Sequence, residues 1–349
     1  MKTFITGGAG FIGCNMAARY IQRGDAVTVF DNLSRPRTEH NLTWLQEQAG
    51  ANKANLSFIQ GDVRDAMGLQ RAVTEAQPDL IVHLASQVAV TTSVKNPRED
   101  FEINALGTFN VLEAARAQAR PPAVFYASTN KVYGGMEDIG VVEGESRYRY
   151  RDLPKGVSEE QALDFHSPYG CSKGAGDQYV RDYSRIYGIK TVVFRQSCIY
   201  GERQFGVEDQ GWVAHFVIAA CMKRPIHIYG NGKQVRDLLY VGDLINAYDA
   251  AWQRLDIASG QVFNVGGGME NTLSIWSEFG PLLAELAGYK IDVTYGDWRP
   301  GDQPVFVSDN SKAKRVLGWE PATSVQGGIR KLWDWVAANR SLWNVSRET

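Results

Sequence analysis

Cysteine is scarce in this 349-residue chain, and the four present (Cys14, Cys171, Cys198, Cys221) show no paired spacing for a metal or redox centre. Cys14 follows a glycine-rich turn and Cys171 lies inside a Tyr–Lys motif. Neither position suits a structural disulfide, so a reducing, cytoplasmic setting is expected. No His/Cys/Asp/Glu cluster has metal-ligand spacing, so no metal is expected. No run of about 18 apolar residues occurs, which removes the sequence signal of a membrane-spanning helix. Met1–Thr6 runs straight into a strand pattern, without the apolar core of a signal peptide. An excess of charge is missing too: 37 Lys and Arg against 39 Asp and Glu leave −2, no electrostatic case for nucleic acid or a membrane surface. Repeats, low-complexity tracts and a clean linker are also lacking. What remains is an ordinary globular composition, long enough for one large domain or two lobes.

Within that composition, short apolar strands alternate with amphipathic stretches. Candidate strands are Thr3–Thr6, Ala26–Phe30, Leu56–Gln60, Leu80–Leu84, Ala123–Ala127 and Thr191–Phe194, with helices such as Phe11–Arg23 and Asp65–Glu75 between them. This alternation predicts an α/β fold with a doubly wound, Rossmann-type parallel sheet. After Arg195 the rhythm breaks into Gly-rich turns, a strand near Val262–Val265 and helices from Ser274 and Val325. A smaller, interleaved C-terminal lobe is expected, with residues 1–195 and 238–265 in the first lobe and 196–237 and 266–349 in the second. The charged stretch Met136–Gln161, with Arg147, Arg149 and Arg151, reads either as a solvated loop or as a lid over an anionic substrate.

Gly7-Gly-Ala-Gly10-Phe11-Ile12-Gly13 follows the first strand and opens the first helix. Glycines there allow a tight turn and close approach to a pyrophosphate, with the helix N-terminus supplying free N–H donors. Asp31 ends the second strand, where a carboxylate can accept from both adenosine ribose hydroxyls and repel a 2′-phosphate, so NAD is favoured over NADP. Asn32, Ser34 and Arg35 follow it, and Arg35 blurs that preference. Asp62 and Val63 stand where an adenine contact would fall, though a turn aspartate is an equal reading. Leu84, Ala85 and Gln87 follow the fourth strand and can line the cofactor.

Tyr169 precedes Lys173 by one helical turn, so both share a face. A neighbouring ammonium favours the phenolate and is expected to lower the phenol pKa, fitting it to trade a proton with a substrate hydroxyl. Ser128 and Thr129 end the fifth strand, and ligands sit beyond the carboxyl ends of strands in such sheets. Thr129 is therefore placed to hold the same hydroxyl. Arg236 and Arg299, the latter in the run Trp298–Gln303, are the best pyrophosphate clamps, because guanidinium forks match phosphate oxygens. Asp302 can accept from ribose or simply close a turn. Gln204, Gln210, Trp212 and Val213 are further candidates for the nucleotide or sugar, and His166 is a secondary one; tryptophan more often packs a core.

With the glycine loop, Thr129 and the Tyr169/Lys173 pair in order, the chain resembles the extended short-chain dehydrogenase/reductases, in their nucleotide-sugar epimerase and dehydratase group. The resemblance covers nearly the whole length and implies NAD as cofactor, Thr129, Tyr169 and Lys173 as catalytic residues, and Asn104 as the residue that orients the lysine. The group's dehydratases carry Asp-Glu directly after the Thr; Asn130 and Lys131 stand there instead, which counts against dehydration. Further runs resemble the branch that inverts C2 of a CDP-linked dideoxyhexose: Phe30–Arg35, Gln87–Ser93, Ser128–Lys131, Asp164–Lys173, Arg203–Phe205, Asp209–Val213 and Gly230–Asp237. That likeness implies a CDP-sugar substrate met by Gln87, Thr129, Asn130, Lys131, Arg203 and Arg236. Cys198 departs from the pattern, standing where many relatives carry a substrate-binding asparagine. Alternatives are C4 epimerisation of a UDP-hexose, a net reductase, or a non-catalytic NAD-binding scaffold. The resemblance also implies a homodimer through two helices, about Asp100–Ala119 and Pro168–Tyr187. Ala105, Gly107, Ala114 and Gly174–Gly176 would allow close approach there or pack on the sheet instead.

Overall fold

The computed structural model describes residues 1–299 and 302–343. The first stretch runs β1 (Lys2–Thr6), α1 (Phe11–Gln22), β2 (Ala26–Asp31), α2 (Thr38–Ala49), β3 (Leu56–Gln60), α3 (Ala66–Ala76) and β4 (Leu80–His83). Then come α4 (Val90–Lys95), α5 (Pro97–Phe101), α6 (Gly107–Arg116), β5 (Ala123–Thr129), a hairpin of β6 (Val141–Glu143) and β7 (Tyr148–Tyr150), α7 (Ser167–Tyr187) and β8 (Thr191–Gln196). The remainder holds β9 (Ile199–Tyr200), α8 (Trp212–Cys221), β10 (Ile226–Tyr229), β11 (Val235–Asp237), β12 (Leu239–Tyr240), α9 (Val241–Gln253), α10 (Leu255–Ala258) and β13 (Gln261–Val265). It closes with β14 (Thr272–Ser274), α11 (Phe279–Ala287), β15 (Val293–Gly296), β16 (Val305–Phe306), α12 (Ser311–Leu317) and α13 (Val325–Ala338).

Seven strands form one parallel sheet in the order β13-β8-β5-β4-β1-β2-β3. The fold is the doubly wound, Rossmann-type α/β architecture that the alternation predicts. Strands such as Leu80-Ile-Val-His83 are buried throughout because helices cover both faces. Ile5, Val29, Val82 and Phe194 pack toward α1 and α9, and Phe4, Ile81, Val124 and Val193 toward α3 and α6. The chain order reverses between β1 and β4, so the ends of those strands open the crevice that dinucleotides use in such folds.

A second core of Val213, Phe216, Val217, Ile228, Phe279, Leu283, Ile329 and Leu332 joins α8, α11 and α13. Three details differ from the sequence reading. Ser274 ends β14 rather than starting a helix: its backbone pairs with Val235, and its hydroxyl accepts from Glu278 N at 2.9 Å, delaying the helix to Phe279. Helix α12 lies beyond residue 266, yet Ala313, Leu317 and Trp319 pack into the core beside α9 and β13, so this helix sits with the first lobe. The charged stretch 136–161 is a docked hairpin rather than a free loop. Tyr150 donates to Val305 O at 3.0 Å and Arg147 is committed to Glu278 and Thr272, which docks the hairpin on the second lobe. Arg149 is exposed, and Arg151 pairs with its neighbour Asp152.

One segment between helices has direct bearing on the site. Asn96 caps α5, and from Glu102 to Leu106 the helix widens to π geometry before α6 resumes. A π-turn inserts a residue and re-aims side chains locally. Here it turns Asn104 inward, 1% exposed. No helix among the described residues is long and apolar enough to cross a membrane.

Candidate active site

A cavity of about 630 Å³ runs from the glycine loop to the Tyr–Lys pair. Its loop end is built by backbone. Gly7 has φ +68, and a Cβ there would stand 2.7 Å from Ala85 N; one on Gly13 would stand 2.4 Å from Gly7 O. Gly10 differs: its φ is −69 and a Cβ would meet only Gly7 O, at 3.1 Å. It lines the cavity, so the missing side chain leaves room for a ligand. Helix α1 starts there with no side-chain cap and no acidic residue in its first turn. Its first N–H groups are open to an anion, and the helix dipole favours one. This donor set fits a dinucleotide pyrophosphate.

Phe11, Ile12, Asp31, Asn32, Ser34, Arg35, Asp62, Val63, Leu84, Ala85 and Gln87 also line the cavity. Asp31 is buried, with its oxygens accepting from Ala9 N at 3.0 Å and Leu33 N at 2.9 Å. Burial raises its pKa, against the pull of those donors. Asp62 is held by Arg64 at 2.7 Å and by Asn32 at 2.9 Å, and these bonds, Arg64 foremost, bring its pKa down to about 2. It is therefore an ion-paired turn carboxylate at the cavity edge. Gln87 is occupied by Asp100 at 2.8 Å and by the backbone of Ala89.

At the inner end, Tyr169, Lys173 and Thr129 come together, 8%, 3% and 6% exposed. Lys173 Nζ donates to Ala127 O at 2.6 Å and stands 4.3 Å from the Tyr126 ring centroid. Burial lowers its pKa to about 7, although Asp100 and Asp177 pull the other way. Tyr169 does not follow the sequence expectation. Burial pushes its pKa up to about 12, and the Thr129 hydroxyl, not the lysine, is the group opposing that rise. With the protein's own groups alone the phenol therefore keeps its proton at neutral pH.

Two carboxylates that the sequence reading missed organise this end. Asp100 accepts from Ser172 Oγ at 2.5 Å, Gln87 Nε2 at 2.8 Å and Asn104 Nδ2 at 3.1 Å. Asn104 in turn accepts from Gln87 N and Ser86 Oγ. It makes no hydrogen bond to Lys173, so it braces the wall around the lysine. Asp177 lies two turns past Tyr169 on the same helix face, a spacing that periodicity alone could have flagged. It accepts from Ser128 Oγ at 2.9 Å and forms a buried bidentate pair with Arg195, which also donates to Tyr133 Oη at 3.0 Å. Ser128 thus lines the cavity with its hydroxyl already committed. His83, neutral with a pKa lowered to about 3 by burial, hydrogen-bonds with Thr6 and Thr108 and is structural.

The expected substrate residues divide. Lys131 extends from Thr129 toward Arg236, Asp302 and Cys198, and burial with the Arg236 charge lowers its pKa. Asn130 lies beside Thr129 at 3.4 Å. Arg236 is 7% exposed and donates to Asp302 at 2.5 Å. Arg299 pairs with Asp209 at 3.1 Å and lies 3.9 Å from the Tyr229 ring centroid. Its neighbours Pro300 and Gly301 lie outside the described residues, as do residues 344–349 of the expected second lobe. Cys198, at φ +40, accepts from Trp212 Nε1 at 3.4 Å, and burial raises its thiol pKa against the opposing charge of Arg236.

Four candidates fall elsewhere. The Arg203 guanidinium lies between Trp44 and Trp335, 4.3 and 5.6 Å from their centroids, away from the cavity. Val213 is buried in the second core. Gln204 is turned into its own loop, donating to Ile199 O at 3.2 Å. His166 is exposed and pairs with Asp164 at 2.9 Å. Gln210 reaches the cofactor cavity and contacts Arg35.

The sequence profile of the GDP-mannose 4,6 dehydratase family matches residues 4–332. A CDP-paratose 2-epimerase of Salmonella typhi is 45% identical over 343 residues, covering 97% of this chain and 100% of its own. A putative UDP-glucose 4-epimerase of Methanocaldococcus jannaschii is 31% identical, over 96% of this chain and 98% of its own. The solved UDP-glucose 4-epimerase of Thermus thermophilus, in complex with NAD, superposes with a TM-score of 0.80 at 32% identity, over 97% and 100% of the two chains. Over nearly its whole length this chain belongs to the GDP-mannose 4,6 dehydratase family, within the extended short-chain dehydrogenase/reductases.

Proposed function

We propose that this chain is an NAD-dependent epimerase that inverts C2 of a CDP-linked hexose, CDP-paratose or a close analogue such as CDP-glucose. The observation that carries the sugar assignment is the 45% end-to-end identity with a CDP-paratose 2-epimerase. The meeting of Tyr169, Lys173 and Thr129 in the glycine-loop cavity supports redox chemistry at a hydroxyl. NAD, held by the open N-terminus of α1 and by Asp31, would supply the hydride acceptor that lets C2 pass through a ketone and recover its hydrogen on the other face.

The chain's own groups do the rest. Tyr169 exchanges the C2 hydroxyl proton, with Thr129 aligning the oxygen. A phenol held near 12 by burial is a poor base, so it needs added positive charge in the site before it ionises. Lys173 supplies part of that charge when protonated and is tethered to Ala127 O. Arg236 and Arg299 bind the pyrophosphate, each exchanging a carboxylate partner for phosphate oxygens. Asn130 and Lys131 leave the site without the acid/base pair of dehydratases. Residues 1–195 and 238–265, with α12, hold the cofactor; 196–237 and 266–299, with α13, hold the nucleotide sugar. The protein acts in the cytoplasm as a homodimer.

C4 epimerisation of a UDP-hexose is the second reading, supported by the relatives named UDP-glucose 4-epimerase. Proton NMR of the protein with NAD and CDP-paratose in D2O separates the two. A C2-epimeric product that keeps protium at C2 supports the proposal. Deuterium at C2 overturns the mechanism, and turnover of UDP-glucose alone overturns the substrate. Tyr169→Phe should bind NAD and lose turnover.

A further inference from the structure

Residues Val207–Gln210 form a short closed turn of the substrate lobe that reaches back to the cofactor lobe. Val207 and Gln210 exchange both backbone hydrogen bonds at 2.9 Å. Its root is clamped: a Cβ on Gly206 would stand 2.6 Å from His215 N, at the start of α8. On one side Val207, Asp209 and Gln210 line the same cavity as Gly10 and Asp31, and Gln210 Oε1 accepts from the Arg35 guanidinium. On the other side the turn is tethered to Arg299, through Asp209 at 3.1 Å and the Glu208 carbonyl at 3.4 Å. Tyr229 Oη donates to Glu208 Oε1 at 2.7 Å.

We infer that this turn is the outer wall of the cofactor site, with the Arg35–Gln210 contact as the latch that retains the adenosine end of NAD. The inference rests on the NAD reading above and assigns Gln210 to the cofactor rather than to sugar. Arg35 has no carboxylate within salt-bridge distance among the described residues, so the amide oxygen of Gln210 is the group that fixes it over the cavity. The chemistry gives the latch a purpose. A hydride taken from the sugar has to return to the same sugar, and a cofactor that leaves midway strands a ketone.

The test is the dissociation rate of NAD from the full-length protein, followed by stopped-flow displacement with excess ADP-ribose. Loss of a hydrogen bond to a charged group predicts that Gln210→Ala and Arg35→Ala each release NAD about tenfold faster. The double variant should be no faster than either, because both remove one contact. Asp209→Asn, which frees the far tether, should speed release less. Unchanged rates in Gln210→Ala and Arg35→Ala, with wild-type NAD binding intact, would overturn the latch alone. A wild-type protein that binds no NAD in calorimetry would overturn the cofactor reading itself. Equal loss of thermal stability with and without NAD would reduce Gln210 to a structural role.

Discussion

Alanine at Gly7, Gly10 and Gly13 of the loop should produce two separable kinds of damage. At Gly13 a methyl would stand 2.4 Å from Gly7 O and 2.6 Å from Gly8 Cα, backbone atoms that cannot step aside. Ordinary contacts begin near 3.4 Å, so α1 would have to lift off the loop by roughly an ångström. Overpacking of that kind costs about 1–3 kcal/mol, and the upper end is expected because the obstacle is backbone. At Gly7 the positive φ adds about 1–2 kcal/mol to a 2.7 Å clash with Ala85 N. Gly10 has an ordinary φ and a single tight contact at 3.1 Å, so Gly10→Ala should cost less than about 1 kcal/mol. Its methyl would instead fill the space in front of the helix N-terminus and keep a phosphate from the first-turn N–H groups. Losing one charge-assisted bond is worth about 2 kcal/mol, roughly thirtyfold in Kd. Urea unfolding of the cofactor-free proteins and calorimetric titration with NAD read the two effects separately. Wild-type NAD affinity in Gly10→Ala, or wild-type stability in Gly13→Ala, would refute the division.

Three further outcomes are expected. Asp177→Asn strands the buried Arg195 guanidinium, with side chains 0% and 2% exposed, and should cost about 3–5 kcal/mol by chemical denaturation; a loss below about 1 kcal/mol would mean that Tyr133 suffices as partner. Lys173 has a folded-state pKa of about 7 against 10.5, so between those values the unfolded chain binds the extra proton and stability rises with pH. The slope, up to about 1.4 kcal/mol per pH unit, should vanish in Lys173→Met, and parallel pH profiles for the two cofactor-free proteins would contradict the burial argument. Phe109→Glu should shift the proposed homodimer toward monomer in sedimentation, since Phe109 and Tyr179 meet edge to face, 5.8 Å between centroids, on a partly exposed apolar surface; a wild-type monomer would rule the dimer out.

Much of this was legible in the sequence because it is local. The glycine loop and the Tyr169–Lys173 spacing each fit within one or two turns of chain, and the strand alternation is a succession of short runs that can each be read alone. Asp100 was not legible, because its role depends on a π-turn that no composition signal marks and on Ser172, 72 residues away. Arg203 is a similar case: the resemblance of Arg203–Phe205 implied a substrate contact, and the rings that flank its guanidinium, Trp44 and Trp335, are far away in the chain. The small residues of the two helices expected at the dimer contact carried two readings, close approach of subunits or packing within the chain, and three of the glycines follow the second. A Cβ on Gly176 would meet Tyr126 Oη at 2.5 Å, on Gly174 the Phe165 ring at 2.4 Å and on Gly107 the Val63 side chain at 2.7 Å. The large apolar side chains these segments leave exposed are Phe101, Leu106, Phe109, Tyr179, Ile186 and Tyr187.

The stacking of Arg203 between α2 and α13 has a mechanical consequence. Hinged enzymes keep few contacts across their cleft so that closing costs little. Here the chain crosses between lobes after Arg195, Asp237 and Val265 and again on either side of α12, and Asn41 Nδ2 holds Arg203 O at 3.2 Å while Asn15 Nδ2 holds Glu202 O at 3.0 Å. Phe205 adds Trp335 and Trp343 to the same bolt. Jaw-like closure on this side would have to break these contacts, so adaptation to a ligand is expected from side chains and short turns. Trimming the chain before Trp335 would reach further than the second core, loosening the seat of α2 and the end of the cavity that its Thr38 lines.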